Sequence, residues 1–307
     1  MRRREFLSLA GGAALAGEIP SVLVHEHILV DFAGADKIRP GRYDRNEVFR
    51  IARPKLEALR RWGCRRLIEC TPNYLGRDPE LLARLSAAVG LEIWSNTGLY
   101  GARKHQFVPA FARSETAAQL AKRWVAETRE AWRPRFIKIG VNPAPLGELD
   151  RKLVRAAAIT SRETGLTIAS HTGDAAAATG NGAAAVEQLE ILTAERINPA
   201  KFVWVHAQNE RDHGLHEKVA RAGAWVEFDG IEPKTIQVHL QCVRFMAAKG
   251  LLRRTLISQD AGWYHVGEPG GGEFRGYTCL YSDFLPRLDA AQVPVLMWEN
   301  PRAAFGG

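Results

Sequence analysis

RFIKIGVNPAPLGELDRKLVRAAAITSRETGLTIASH, residues 135–171, holds one complete unit of the fold. Two short apolar runs, RFIKIG (135–140) and LTIASH (166–171), enclose GELDRKLVRAAAITSRETG, whose apolar residues recur at helical spacing. The runs are continuous rather than alternating, as strands of a parallel sheet buried on both faces must be. The same unit recurs on either side. Further runs lie at VLVHEH (22–27), RLIEC (66–70), EIWSN (92–96), FVWVH (202–206), AWVEFD (224–229) and TLISQD (255–260). Helical stretches such as NEVFRIARPKLEALRRWG, DPELLARLSAAVG, SETAAQLAKRWVAETREAW and GNGAAAVEQLEILTAE separate them. Eight strands alternating with helices in about 250 residues, with no linker, predict an α/β fold, a single (β/α)8 TIM barrel over 17–307. A doubly wound open sheet is the alternative. It calls for a glycine-rich phosphate turn after the first strand, and HEHILVD is not one.

Composition is compatible with this. The chain has 307 residues, 46% hydrophobic and 25% charged, which argues against collagen-like, disordered and polytopic membrane classes. Its 42 Lys+Arg against 34 Asp+Glu give a formal charge of +8. Part of that excess sits in MRRREFLSLAGGAALAG, where an arginine cluster runs into a short apolar stretch ending in the small-x-small pattern Ala14-Leu15-Ala16. The stretch is too short to span a bilayer, which needs about 20 residues, so an export signal over 1–16 is expected. Arg3-Arg4-Glu5-Phe6-Leu7 resembles a twin-arginine signal, implying a periplasmic or secreted protein that is exported already folded. Its removal takes three arginines and one glutamate, leaving +6. The remaining Lys and Arg are scattered over helices such as RPKLEALRRWGCRR, with no nucleic-acid-binding motif and no membrane segment. Cys64, Cys70, Cys242 and Cys279 have no metal-ribbon or CxxC spacing, so free, buried thiols are expected.

The chemistry lies where polar residues interrupt the apolar runs. His25 and His27 fall on the first strand, Lys138 on the fourth, His171 on the fifth, His206 on the sixth and Asp260 at the end of the eighth. In a parallel barrel these ends converge on one rim, where active sites of the architecture lie. Histidines two apart on a strand face the same side. Four imidazoles and a carboxylate make a set rich in transition-metal ligands. Singly, each histidine reads equally as a core or capping residue, and Asp260 as a loop cap. Lys138 is harder to explain structurally, since a buried lysine is costly unless paired or modified.

Together, HEHILVD, LIECTPNYLGRDPELLARLSAAVGLEI, TGLY, FIKIG, ASHTG, VWVHAQNE, SQD and the terminal ENPRAAF resemble the phosphotriesterase family, with its phosphotriesterase-like lactonases, of the amidohydrolase superfamily. HxH alone is weak; HxH, Lys, His, His and Asp in this order is specific. The resemblance implies two divalent cations at the barrel mouth, commonly zinc, with manganese, cobalt or iron as alternatives. By position, His25, His27 and Asp260 would hold the buried metal and His171 and His206 the exposed one. Lys138, N-carboxylated by carbon dioxide, would bridge them.

The activity implied is hydrolysis of an ester-type bond, in a lactone, carboxylic ester or phosphotriester, by a hydroxide shared between the metals. Asp260 would receive the proton, and Tyr100 in TGLY matches a tyrosine over the metal pair in the lactonase-like branch; packing alone is its other reading. Two relay positions depart from the phosphotriesterases proper, with Asn209 and Gly230 where that branch has Asp and His, and FDGIEP lacks the lactonase arginine. A non-catalytic metal- or small-ligand-binding barrel is therefore the alternative function. The long glycine-rich loop AGWYHVGEPGGGEFRGYT is expected to shape the pocket, with Trp263, Tyr264 and Phe274 as apolar walls and His265 as a further lining residue, suiting an uncharged ester. A surface excursion is the loop's other reading. His213, His216 and His239 fall in helical stretches and read as surface residues. Family members often form homodimers, which the resemblance extends to this chain.

Overall fold

The computed structural model describes residues 20–173 and 180–306. The expected export signal, 1–16, lies outside the described residues. Among them, eight parallel staves run in chain order: β1 (Ser21–Glu26), β2 (Cys64–Glu69), β3 (Glu92–Trp94, continued by Asn96–Thr97), β4 (Phe136–Val141), β5 (Ile168–Thr172), β6 (Phe202–Val205), β7 (Trp225–Phe228) and β8 (Thr255–Ile257). Neighbours pair in register, as in Leu23 with Leu67, Thr97 with Ile137, Lys138 with Ala169, His171 with Val205 and Leu256 with Glu227. The ring closes between β8 and β1, where Asp260 N donates to His25 O (3.0 Å) and His27 N to Ala261 O (2.8 Å). This is the (β/α)8 barrel.

Among the described residues, the long helices that return the chain between staves are α1 (Arg45–Arg61), α2 (Pro79–Val89), α3 (Ala117–Glu127), α4 (Glu148–Thr164), α5 (Gly182–Ala194), α6 (His213–Arg221) and α7 (Ile236–Ala248). Their starts are written locally. Asp44, Asp78 and Asp212 accept first-turn amides, and Thr116 with Gln119 forms a capping box. Gly90 and Gly165 end α2 and α4 in the left-handed conformation.

Strand alternation divides the core. Leu23, Leu67, Ile137, Ile139 and Phe202 pack outward with helix residues such as Leu56, Leu85 and Leu153. Val22, Val24, Ile68, Phe136, Ala169, Val203 and Leu256 fill the barrel interior with Phe305 from the C-terminal helix α8 (Asn300–Phe305). That helix closes the N-terminal end: Asn300 Nδ2 donates to Leu252 O and Thr255 O (2.7 Å each), and Thr167 Oγ1 to Ala304 O (2.6 Å).

The loop after β8 is folded onto the rim, not a surface excursion. Tyr264–His265 pairs in parallel with Leu29–Val30, and Gly262 bridges Arg275. All four cysteines are free, but Cys279 is only half-buried, unlike the other three. No helix among the described residues is long and apolar enough to cross a membrane.

Candidate metal centre

Alternation places the inward side chains. On β4, Phe136 points into the interior core and so therefore does Lys138; on β5, Ala169 and then His171; on β8, Leu256 leads on to Ser258 and Asp260. Two members break the count. Val22 and Val24 face inward, so strict alternation would turn His25 outward. The β1–β2 register shifts between Leu23 and Glu26, and that irregularity brings His25 and His27 to the inside. Val203 and Val205 likewise face inward, and His206 follows with φ 63°, a left-handed turn that swings its ring back to the pocket. Asp260 is also left-handed, at φ 48°. Strained backbone of this kind persists where surrounding structure enforces it, commonly at functional sites.

All six expected ligands line one cavity of about 220 Å³. Ligand atoms of His25, His27 and Asp260 fall within 4.8 Å of one another. His25 Nε2 and His27 Nε2 lie 3.7 and 3.2 Å from Asp260 Oδ1. Across the cavity His206 Nε2 is 2.7 Å from His171 Nδ1, and the Tyr100 hydroxyl is 3.0 Å from His171 Nε2. Lys138 is 2% exposed, and its Nζ has no hydrogen-bond partner among the described residues; Asp260 Oδ1, though near both imidazoles, forms no hydrogen bond with them either. Buried polar atoms without partners are rare and call for an explanation. Two orphaned atoms amid imidazole nitrogens fit a divalent-cation site.

The outer nitrogens are held by residues that sequence reasoning missed. His25 Nδ1 is 2.8 Å from Glu227 Oε1 and 3.3 Å from Asp229 Oδ2. Asp229 Oδ1 holds His206 Nδ1 at 2.5 Å, and Thr71 Oγ1 holds His27 Nδ1 at 2.7 Å. Such partners fix ring orientation and leave the inner nitrogens for a metal. Glu26, between the two histidines, accepts from Ser258 Oγ (2.8 Å), Gln259 N (3.0 Å) and Ala261 N (2.8 Å), which pins the segment carrying Asp260. The signal for Glu227 and Asp229 was present: two acids, two apart, in the apolar run AWVEFD, continuing the inward parity of Trp225.

Electrostatics favour neutral imidazoles, the ligating form. Burial, then Lys138, lowers His25 to about 3, and burial lowers His27 as well. Burial with His206 and Lys138 holds His171 well below the ordinary range. Asp229 and Asp260 stay ionised: burial pushes both up, but neighbouring histidines outweigh it and lower them. Burial drives Glu227 well up, with Asp229 adding to it, and lifts Glu26 to about 8 against its three donors.

The walls differ from expectation. Trp263 lines the cavity, its ring 4.1 Å from that of His27 and stacked on Phe32 at 5.9 Å, and Leu75 and Tyr100 line it as well. Tyr264 and Phe274 do not: Tyr264 belongs to the buried core between sheet and helices, and Phe274 packs against it beside Tyr277. His265 stands behind the wall, 6.1 Å from Trp263 and 5.7 Å from Phe32, ring to ring. Residue alternation explains Tyr264, which turns to the core on the face opposite Trp263 and His265. His216 and His239 are not surface residues but buried ones. His216 Nε2 donates to Ala207 O (2.8 Å) and His239 Nε2 to Asp229 O, so α6 and α7 hold the turns bearing His206 and Asp229. His213 is half-buried, stacked on Phe245.

The profile of the Phosphotriesterase family matches residues 8–305. The chain is 25% identical to the phosphotriesterase homology protein of Escherichia coli over 297 residues, covering 92% of this chain and 97% of the relative. It is 25% identical to the aryldialkylphosphatase of Saccharolobus solfataricus over 217 residues, 69% of this chain and 66% of that one. Among solved structures, the organophosphorus hydrolase from Deinococcus radiodurans superposes with a TM-score of 0.80 at 24% identity, covering 95% of this chain and 94% of the other. The Escherichia coli protein with phosphate in its active site superposes with a TM-score of 0.78 at 22% identity, covering 94% and 99%. With that profile spanning nearly its whole length on a shared barrel, the chain belongs to the phosphotriesterase family.

Proposed function

We propose that the protein is a metal-dependent hydrolase of ester-type bonds in small molecules: a lactone, carboxylic ester or phosphotriester. The observation that carries this reading is the buried Lys138 amine, without a hydrogen-bond partner among the described residues, set in one cavity with four histidines and Asp260. His25, His27 and Asp260 would hold one divalent cation and His171 and His206 a second, zinc being the expected metal. Lys138 would join both sets once its amine adds carbon dioxide and loses a proton to become a carbamate. Bound there, the cations would lower the pKa of water and polarise the carbonyl or phosphoryl oxygen.

The remaining steps belong to the chain. Tyr100, its hydroxyl beside His171, orients the substrate oxygen. Trp263 and Phe32 seat the apolar part of the ester and exclude bulk water. Asp260, held ionised, accepts at a carboxylate oxygen the proton lost by water and returns it to the leaving alkoxide. One water is consumed and one C–O or P–O bond breaks; an ester or phosphotriester leaves as an acid and an alcohol, and a lactone opens to a single hydroxy acid.

The test is a screen of zinc- or manganese-loaded protein on aryl phosphotriesters, lactones of graded size and simple carboxylic esters. Turnover of at least one class is expected, and Asp260→Asn should lower kcat on it by roughly 100-fold or more. Unchanged turnover overturns the mechanism. Elemental analysis should find two metals per chain. Fewer than one, with Lys138→Ala making no difference, defeats the metal assignment and leaves the non-catalytic binder. We also propose that residues 1–16 direct export; replacing Arg3 and Arg4 by lysine should retain the protein in the cytoplasm on fractionation.

A further inference from the structure

We propose that Arg103 is the specificity residue of the pocket and receives an anionic group, a carboxylate or phosphate monoester, carried by the substrate away from the scissile bond. This rests on the hydrolase reading above and names the substrate class more closely.

Arg103 lines the same cavity as the metal ligands. The other charged residues there are Lys138 and Asp260, both committed to the metal centre. Phe32, Leu75, Tyr100 and Trp263 supply uncharged walls of the same cavity. The Arg103 side chain is exposed, makes no ion pair with any described residue, and lies 5.1 Å over the Phe32 ring. Stacking on an aromatic face positions a guanidinium without consuming its donors, which stay available for a carboxylate or phosphate. A wall with one cation suits a substrate with one anionic end, and the apolar remainder disfavours a polyanion.

The loop is built to hold that position. Arg103, Lys104 and His105 are consecutive non-glycine residues with φ of 55°, 58° and 60°, a conformation L side chains rarely adopt. Surrounding structure enforces it. Gly101 N donates to Gly140 O (2.8 Å), Lys104 N to Asn142 Oδ1 (2.8 Å), and His105 Nε2 lies 3.0 Å from Asp150 Oδ1. Asn142 Nδ2 in turn donates to Gly101 O and Asp150. The adjoining hollow, lined by Lys37, Lys104 and Arg113 with Asp36 as its only acid, makes the approach electropositive.

Three γ-lactones differing only in one substituent, a primary amide, a carboxylate or a phosphooxymethyl group, test this with metal-loaded native protein, Arg103→Gln and Arg103→Lys. Native protein should prefer one or both anionic lactones by tenfold or more in kcat/KM, the larger preference identifying the anion. Arg103→Gln should abolish the preference through KM, its loss on the preferred anionic lactone exceeding that on the amide lactone by fivefold or more, while Arg103→Lys keeps part of it. Loss of equal size on all three lactones, or no loss, overturns the assignment. If no lactone is turned over, calorimetric titration of the same proteins with 3-phenylpropionate and its primary amide decides instead. An anion affinity at least fivefold weaker in Arg103→Gln, with the amide unaffected, supports Arg103 even though the lactonase reading fails; equal affinities overturn it.

Discussion

His216 shows what a single buried ring contributes beyond the cavity. It has no exposed surface, donates to the Ala207 carbonyl, and is lowered by burial to about 4. In the unfolded chain an imidazole titrates near 6.5, so as pH falls the unfolded state takes the proton first and stability is lost. The contribution is complete above about pH 6.5 and falls away toward pH 4, the loss having reached about 2 kcal/mol at pH 5. Urea midpoints at pH 7.5 and 5 should therefore differ less for His216→Gln, which keeps an N–H donor, than for native protein. Equal pH dependence in the two would refute the assignment. The same residue marks a limit of sequence reading at this scale. Lys138 and His171 stand out because polar residues interrupt apolar strands; His216 lies in a helix whose inner face is known only once its neighbours are placed. Glu227 and Asp229 meet the first criterion too, but without a metal-ligand pattern around them they read as ordinary strand residues.

At the scale of elements, strands and helices follow from hydrophobic period and caps, while the turns that aim the ligands do not. Counting outward from Val22 and Val24 misdirects His25, because the correction lies in a register shift imposed by β2. The path after β8 is similarly dictated by its surroundings. A Cβ on Gly262, at φ 97°, would lie 1.7 Å from His27 O and 2.6 Å from the Tyr277 hydroxyl. Gly270, at φ 61°, has nothing within 4 Å. Gly262→Ala must displace the His27 carbonyl as well as bear the backbone strain, and should cost more than about 2 kcal/mol. Gly270→Ala bears the strain alone, about 1 kcal/mol. Thermal melts should rank the two in that order, and only Gly262→Ala should weaken zinc affinity. A larger loss for Gly270→Ala would show that conformation, not close approach, fixes this loop.

The whole barrel is fastened at both ends by unlike means. At the C-terminal rim the proposed ligands come from β1, β4, β5, β6 and β8, so bound cations would tie five staves together. At the other end Phe305 lies against Phe136 with ring centroids 5.7 Å apart, inside the core cluster shared by Val22, Val203 and Leu256. The eight-strand pattern announced a barrel, but nothing in ENPRAAF disclosed that its last aromatic closes the floor, since that depends on where the chain end returns. Strands of three to six residues span roughly 10–20 Å, and Phe305 touches Phe136 rather than any of the proposed ligands, so coupling between the two ends should be weak. Phe305→Ala should therefore cost about 3–5 kcal/mol. Metal removal should cost a further amount of about 4 kcal/mol where free metal stands at 1,000 times its Kd. The two should add: the Phe305→Ala loss, from urea unfolding, should agree to within about 0.5 kcal/mol in metal-loaded and chelated protein. A discrepancy well above that would mean that strain at the floor reaches the ligands through the interior stack of Phe136, Ala169 and Leu256. Phe305 would then govern metal affinity as well as stability.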